Sequence, residues 1–197
     1  MTTPVASIPG DDDAHLLRRY RQGDAEAFAQ LYQRHRLGLF RFLCGLCGDP
    51  SVAEEVFQET WMSLIRSESV QREAVLFKTW LYQIARNRLI DHWRKHGKQQ
   101  GLSEAYDEQL HDQPSSEANP EQQLGLSRDQ ERLQAALDDL PAEQREVFLL
   151  RAHGDLELHE IAELTRTPAE TVKSRLRYAL QKLRRLLADP AAEEVSA

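Results

Sequence analysis

The sequence predicts an all-α protein made of two small helical domains joined by a flexible, acidic linker. Three observations predict it. Apolar residues recur at three- to five-residue steps through most of the chain, and no stretch alternates with the two-residue period of a strand. Turn and cap residues, Gly23-Asp24, Gly48-Asp49-Pro50 and Thr167-Pro168, cut that pattern into helix-sized pieces. Residues 99–126 are polar, with Pro114, Ser115, Ser116, Asn119 and Pro120, and are too long for a structureless loop inside one compact domain. The expected parse is a disordered N-terminus at 1–13, a helical domain at 14–98, the linker at 99–126, a second helical domain at 127–188 and a frayed tail at 189–197.

The first helix starts near His15, with Leu16, Leu17 and Tyr20 inward. Gly23 breaks it and Asp24 caps the next. That helix turns Phe28, Leu31, Tyr32, Leu39, Phe42, Leu43 and Leu46 to one side and stops at Gly48-Asp49-Pro50. A Ser51-x-x-Glu54 capping box is expected to open the third helix. This helix is expected to bury Ala53, Val56, Phe57, Thr60, Trp61, Leu64 and Ile65, and to expose Glu54, Glu55, Gln58 and Glu59. In the fourth, over Phe77–Lys98, Phe77, Leu81, Ile84, Ala85 and Leu89 form the apolar side, flanked by Trp80, Tyr82 and Trp93. Gln83, Arg86, Asn87 and Arg94 fall opposite.

The second half is helical again. Leu133, Leu137 and Leu140 face inward. A helix from Pro141 to about Ala152 buries Val147, Phe148 and Leu150 or nearby positions, and Gly154 ends it. A short helix with Leu158, Ile161, Ala162 and Leu164 follows. Thr167, Pro168 and Glu170 are expected to cap a last helix that buries Val172, Leu176, Ala179, Leu180 and Leu183. Two helices meeting at a tight turn, the second strongly basic, form a helix-turn-helix.

Net charge is −7, which for the whole chain argues against a nucleic-acid binder, but the charge is segregated. Ile84–Lys98 holds five cations (Arg86, Arg88, Arg94, Lys95, Lys98) against Asp91. Gln99–Glu131 holds eight acids against Arg128. Arg166–Arg185 holds seven cations against Glu170. Local patches decide where phosphate binds. Rings beside cations on the fourth helix suit a single nucleic-acid strand, with stacking on bases and charge on phosphates. Thr171, Lys173, Ser174, Arg175, Arg177 and Tyr178, on or near the outer face of the last helix, are donors that reach base edges and phosphates in a major groove.

Other chemistry finds little support. Cys44-x-x-Cys47 has no second pair to complete a zinc site and lies in an apolar helical run, so both cysteines read as small core residues. His92 and His96, four apart, lack an evident third ligand. No phosphate-binding glycine loop and no nucleophile constellation appear, so neither enzymatic activity nor a cofactor is expected. Two cysteines fit a reducing cytosol. The N-terminal MTTPVASIPGDDD is no signal peptide, and no apolar run reaches membrane-spanning length. The expected location is the cytoplasm, without membrane insertion.

Four segments in order, AEEVFQETWMSLI, FKTWLYQIARNRLIDHWRK, LPAEQREVFLLR and HEIAELTRTPAETVKSRLRYALQKLRRLL, resemble bacterial RNA polymerase sigma factors of the extracytoplasmic-function type. The likeness runs from about Leu16 to Leu187. It implies a region 2 helical bundle and a region 4 helix-turn-helix, acting without catalysis to direct core polymerase to specific promoters. It implies that Glu54, Glu55, Gln58, Glu59 and the Trp61 face dock on the β′ clamp helices, and that region 4 meets the β flap. Trp80, Gln83, Arg86, Asn87, Arg88, Arg94 and Lys95 would serve the minus-ten element, where a base is flipped from its strand. The region 4 donors above would read the minus-thirty-five element, and an anti-sigma protein would hold the factor in check. Arg166 replaces the glycine usual at the helix-helix turn, which predicts a left-handed backbone at a non-glycine residue. Thr165 and Thr167 stand where apolar residues are common, Glu157 where a hydroxyl cap is, and Val52 where an acid is. The alternatives are a stand-alone helix-turn-helix regulator, a metal enzyme using His92, His96 or the cysteines, and a module that only sequesters a partner.

Overall fold

The computed structural model describes residues 13–66, 77–96 and 128–188. Eight helices account for almost all of them: α1 (Asp13–Arg21), α2 (Ala25–Cys47), α3 (Pro50–Arg66), α4 (Phe77–Lys95), α5 (Arg128–Asp138), α6 (Ala142–Gly154), α7 (Leu158–Thr165) and α8 (Ala169–Leu187). No strand occurs among the described residues. The disordered terminus, linker and tail expected from the sequence lie almost wholly outside them.

The helix boundaries follow local chemistry. Asp24 caps α2 as expected, its Oδ1 accepting the amides of Glu26 and Ala27 at 3.0 and 3.3 Å. Gly48, in the left-handed region at φ 68°, closes α2 by donating its N–H to the Cys44 carbonyl. The cap of α3 differs from the expected one. Asp49, not Ser51, accepts the amides of Ser51 and Val52, and Pro50 takes the first helical turn, where its missing N–H costs nothing. Asp155 rather than Gly154 is the left-handed residue after α6, at φ 48°.

The N-terminal half packs α1, α3 and α4 around α2. Leu16, Leu31, Leu39, Phe42, Leu43, Ala53, Val56, Leu81 and Leu89 are fully buried there. An aromatic cluster fills the seam of α1, α2 and α3: the Trp61 ring meets Phe28 edge-on at 5.8 Å and Tyr32 at 5.0 Å. The C-terminal half packs α6, α7 and α8 around Val147, Leu150, Ile161, Val172 and Ala179. Four residues expected to be buried are not fully so: Leu133 (40%) and Leu180 (36%) are exposed, while Leu176 and Phe148 are partly covered. Ile65 is likewise 45% exposed, one step past the buried stripe of α3.

The two helical modules are both present, and they are docked. The buried residues of both halves form one continuous apolar cluster. Its seam runs between α2 and α6, where Gly45 lies against the Leu149 side chain and Gly38 against the His153 carbonyl. The two glycines are seven residues apart, two turns along one face of α2, and let the helices approach at backbone distance.

Candidate nucleic-acid and polymerase interfaces

Helix α3 presents Glu54, Glu55, Gln58 and Glu59 to solvent as one acidic ridge. Gln58 donates to Glu54 at 2.8 Å, a one-turn pair that aligns the ridge. Glu55 reaches toward His92 of α4, 3.7 Å from its Nδ1. Trp61 does not belong to this ridge. It is 5% exposed within the aromatic cluster, so its part is to support α3 rather than to touch a partner.

On α4, Trp80, Gln83 and Asn87 share one face. Asn87 is exposed, while Trp80 and Gln83 are half-buried, and Trp80 leans edge-on against Phe77 at 6.2 Å. Arg88 is half-buried, and Arg94 and Lys95 project freely at the end of the helix. The rings of His92 and His96 stack there at 4.2 Å. Two residues depart from the expected arrangement. Tyr82 is buried, its hydroxyl donating to the His153 carbonyl at 2.7 Å, and burial pushes its pKa up. Arg86 is 8% exposed, with Nε donating to Glu146 of α6 at 2.7 Å. The α4 periodicity had placed both off the apolar stripe; what buries them is the C-terminal half, which local spacing does not encode.

The helix-turn-helix is α7 and α8. Its turn is a Schellman closure: Arg166 N–H donates to Glu163 and Thr167 N–H to Ala162, with Arg166 left-handed at φ 53°, as the missing glycine predicts. Glu160 accepts the Glu157 amide at 2.6 Å and so starts α7 without a hydroxyl cap. Thr165 is buried and its hydroxyl donates to the Ile161 carbonyl. Thr167 does not cap α8. Its hydroxyl donates back to Thr165 and accepts from Arg175. Of the expected DNA contacts, Lys173, Arg177 and Tyr178 are exposed, and Thr171, Ser174 and Arg175 half-exposed. Arg177 lies over the Tyr178 ring at 4.9 Å and donates to its hydroxyl at 3.2 Å, which pre-positions a cation and a ring together. Arg175 also faces Glu143 at 3.6 Å. Ser174 donates to the Thr171 carbonyl, leaving its oxygen as an acceptor.

Among the described residues no group of three or more His, Cys, Asp or Glu side chains could hold a metal ion. Cys44 and Cys47 are free thiols. Burial, with the Glu54 charge, pushes Cys44 up to about 11; burial pushes Cys47 up to about 12, where the Cys47 thiol donates to the Asp49 carbonyl. No described helix is long and apolar enough to cross a membrane.

An α-helical module with an acidic ridge and an aromatic-basic helix, followed by a helix-turn-helix with outward cations, defines a DNA-binding protein of two recognition modules. The comparisons identify it further. Residues 31–99 match the model for Sigma-70 region 2, and residues 136–185 that for Sigma-70, region 4. Over 173 residues the chain is 33% identical to the ECF RNA polymerase sigma factor RpoE of Cereibacter sphaeroides, covering 86% of this chain and 91% of that one. It is 32% identical over 174 residues to the ECF sigma factor SigE of Mycolicibacterium smegmatis, covering 87% of this chain and 66% of that relative. In structure it is similar to the sigma factor RpoE of Bartonella quintana, solved in complex with the anti-sigma factor NepR. The TM-score is 0.62 at 26% identity, over 83% of this chain and 98% of that one. The chain belongs to the extracytoplasmic-function family of RNA polymerase sigma factors. It is thus a transcription initiation factor that directs RNA polymerase to promoters, not an enzyme, and its partners are core polymerase and promoter DNA.

Proposed function

We propose that the two modules divide the promoter between them. Region 2 reads the minus-ten element through α4: Trp80, Gln83 and Asn87 take bases of the opened strand, and Arg88, Arg94 and Lys95 hold phosphates, with Arg86 joining them when the C-terminal half moves away. Region 4 reads the minus-thirty-five element through Lys173, Arg177 and Tyr178 of α8, with Thr171, Ser174 and Arg175 contributing from the turn side. The acidic ridge Glu54, Glu55, Gln58 and Glu59 docks on the β′ clamp helices, region 4 meets the β flap, and the acidic linker runs through a basic channel of the polymerase. An anti-sigma protein covers the factor in the cytoplasm when it is not needed.

The observation that carries this reading is the exposure of Lys173, Arg177 and Tyr178 on the second helix of a helix-turn-helix, together with exposed Asn87 on a separate aromatic-basic helix. Unstacking a base costs a few kcal/mol, so a strand reader must offer rings and donors for it. A chain of net charge −7 holds DNA weakly by itself, and seating both patches on one polymerase supplies the remaining phosphate contacts. The test is transcription from a supercoiled promoter library by core polymerase with and without the chain. Promoter-specific starts are expected. Failure to co-elute with core polymerase, or starts indistinguishable from core alone, overturns the reading. Asn87→Ala should slow strand opening, read as permanganate reactivity of exposed thymines, without weakening polymerase binding.

A further inference from the structure

The first turn of α4 is held from behind by a run of contacts that crosses three helices. It begins at Asp13, the first residue of α1, whose two carboxylate oxygens take neighbouring side chains of α2. Oδ1 accepts from Arg34, and Oδ2 accepts the Nε2–H of His35 at 2.7 Å. Arg34 reaches the carboxylate from the solvent side, with 40% of its side chain exposed, and His35 from within, with 13%. The imidazole lies against the Phe77 ring, centroids 5.3 Å apart at 50°. Phe77 is buried and meets Trp80, one turn on in α4, edge-on at 6.2 Å. Trp80 itself is half-buried, so part of its ring stays open.

We propose that His35 is a positioning residue for strand capture: tied to Asp13, it fixes Phe77, and Phe77 fixes the plane in which Trp80 stacks on a base of the opened strand. The proposal rests on α4 being the strand reader.

The mechanism is selection of ring planes. The terminal torsion of a histidine is broad, so packing alone leaves the imidazole plane loose, and the bond to Asp13 sets it. The terminal torsion of Phe77 is equally broad, and the fixed imidazole gives its ring one seat. Trp80 stands three residues further, where side chains on a helix meet. A stacking ring that has to find its plane on binding loses affinity through the orientations it gives up, whereas a preset ring has none to lose. Gln83 and Asn87 follow Trp80 one and two turns on along the same face. The plane of Trp80 therefore also decides whether a stacked base turns its edge toward them.

The experiment uses holoenzyme, the full chain on core polymerase, with a promoter recovered from the library described above. Permanganate reactivity of the minus-ten thymines gives the opening rate, co-elution gives core affinity, and thermal unfolding shows that each variant is folded. His35→Gln keeps a donor for Asp13 but takes the ring off Phe77. Phe77→Leu keeps the core filled but ends the ring contacts on both sides. Each is expected to slow opening about three- to tenfold with core affinity unchanged. Trp80→Ala is expected to slow it about ten- to a hundredfold. The deciding measurement is the double variant: added to Trp80→Ala, His35→Gln should change nothing further, because its whole effect runs through that ring. Arg34→Ala, which loosens the start of α1 but leaves His35 on Phe77, should open at the wild-type rate. Equal slowing by His35→Gln with and without Trp80, or equal slowing by Arg34→Ala, shows a general loosening of the bundle and overturns the proposal. Wild-type opening by both His35→Gln and Phe77→Leu also overturns it and, if Trp80→Ala is slow, leaves the strand-reading assignment standing. Wild-type opening by Trp80→Ala overturns the assignment and the proposal together.

Discussion

Gly38→Ala tests whether the two halves are separate cooperative units meeting at a close-packed seam. A methyl group at Gly38 would sit 2.5 Å from the His153 carbonyl oxygen and 2.9 Å from the Tyr82 hydroxyl. Neither is the loose end of a flexible chain: the first is backbone, and the second is fixed by its own hydrogen bond to that carbonyl. Overpacking of this kind costs about 1–3 kcal/mol. Losing the Tyr82 hydrogen bond adds about 1 kcal/mol. Alanine in place of a mid-helix glycine returns about 1 kcal/mol, and that gain belongs to α2 alone. The docked arrangement should therefore weaken by about 2–4 kcal/mol while α2 itself becomes firmer. Exchange mass spectrometry should show faster amide exchange in α4 and α6, with α2 and α3 unchanged or better protected. Wild-type protection throughout would show that the seam tolerates a side chain. Loss of protection in all helices together would show that the halves do not part. Either result refutes the reasoning.

Other outcomes follow from single contacts. Lys173→Ala should weaken upstream promoter recognition without affecting core polymerase binding, measured by footprinting and co-elution; Arg175→Ala should act partly through structure, because that side chain also holds Thr167 and Glu143. Asp49→Ala removes the cap of α3 and should cost about 1 kcal/mol in thermal or urea unfolding, whereas Ser51→Ala should be near neutral. At Asp13, burial pushes the carboxyl up, but His35 and Arg34 outweigh it and hold it below the usual carboxylate range. Because the folded value is the lower one, its contribution is complete above the unfolded pKa of about 3.9 and vanishes as pH falls through the folded value. Asp13→Asn should accordingly destabilise the chain at neutral pH and make no difference in strong acid. Cys44 and Cys47, pushed up to about 11 and about 12, should react slowly with iodoacetamide near neutral pH in the native chain and rapidly once it is unfolded.

Much of this protein is written in local spacing. The helices, the Asp24 cap, the Gly48 stop and the left-handed Arg166 follow from residues within a turn of one another, because helix formation and capping are short-range events. The acidic ridge on α3 and the basic α8 were legible for the same reason: exposure on one helix face is set by period alone. The docking of the halves was not. Gly38 and Gly45 carried a signal, two small residues two turns apart on an otherwise apolar helix, but what they accommodate lies more than a hundred residues away at Leu149 and His153. Tyr82 and Arg86 were misplaced because a ring or a cation at the edge of an apolar stripe is buried or exposed according to what arrives to cover it. Here α6 covers both, whereas Trp61 is buried as the period of α3 requires, and only the resemblance had turned its face toward the polymerase. Sequence by itself determined which segments become helices and which faces carry charge, since those depend on neighbours along the chain. Only the tertiary structure decided which of those faces is free, since a buried carboxylate such as Glu146 chooses its partner across space, where desolvation demands one.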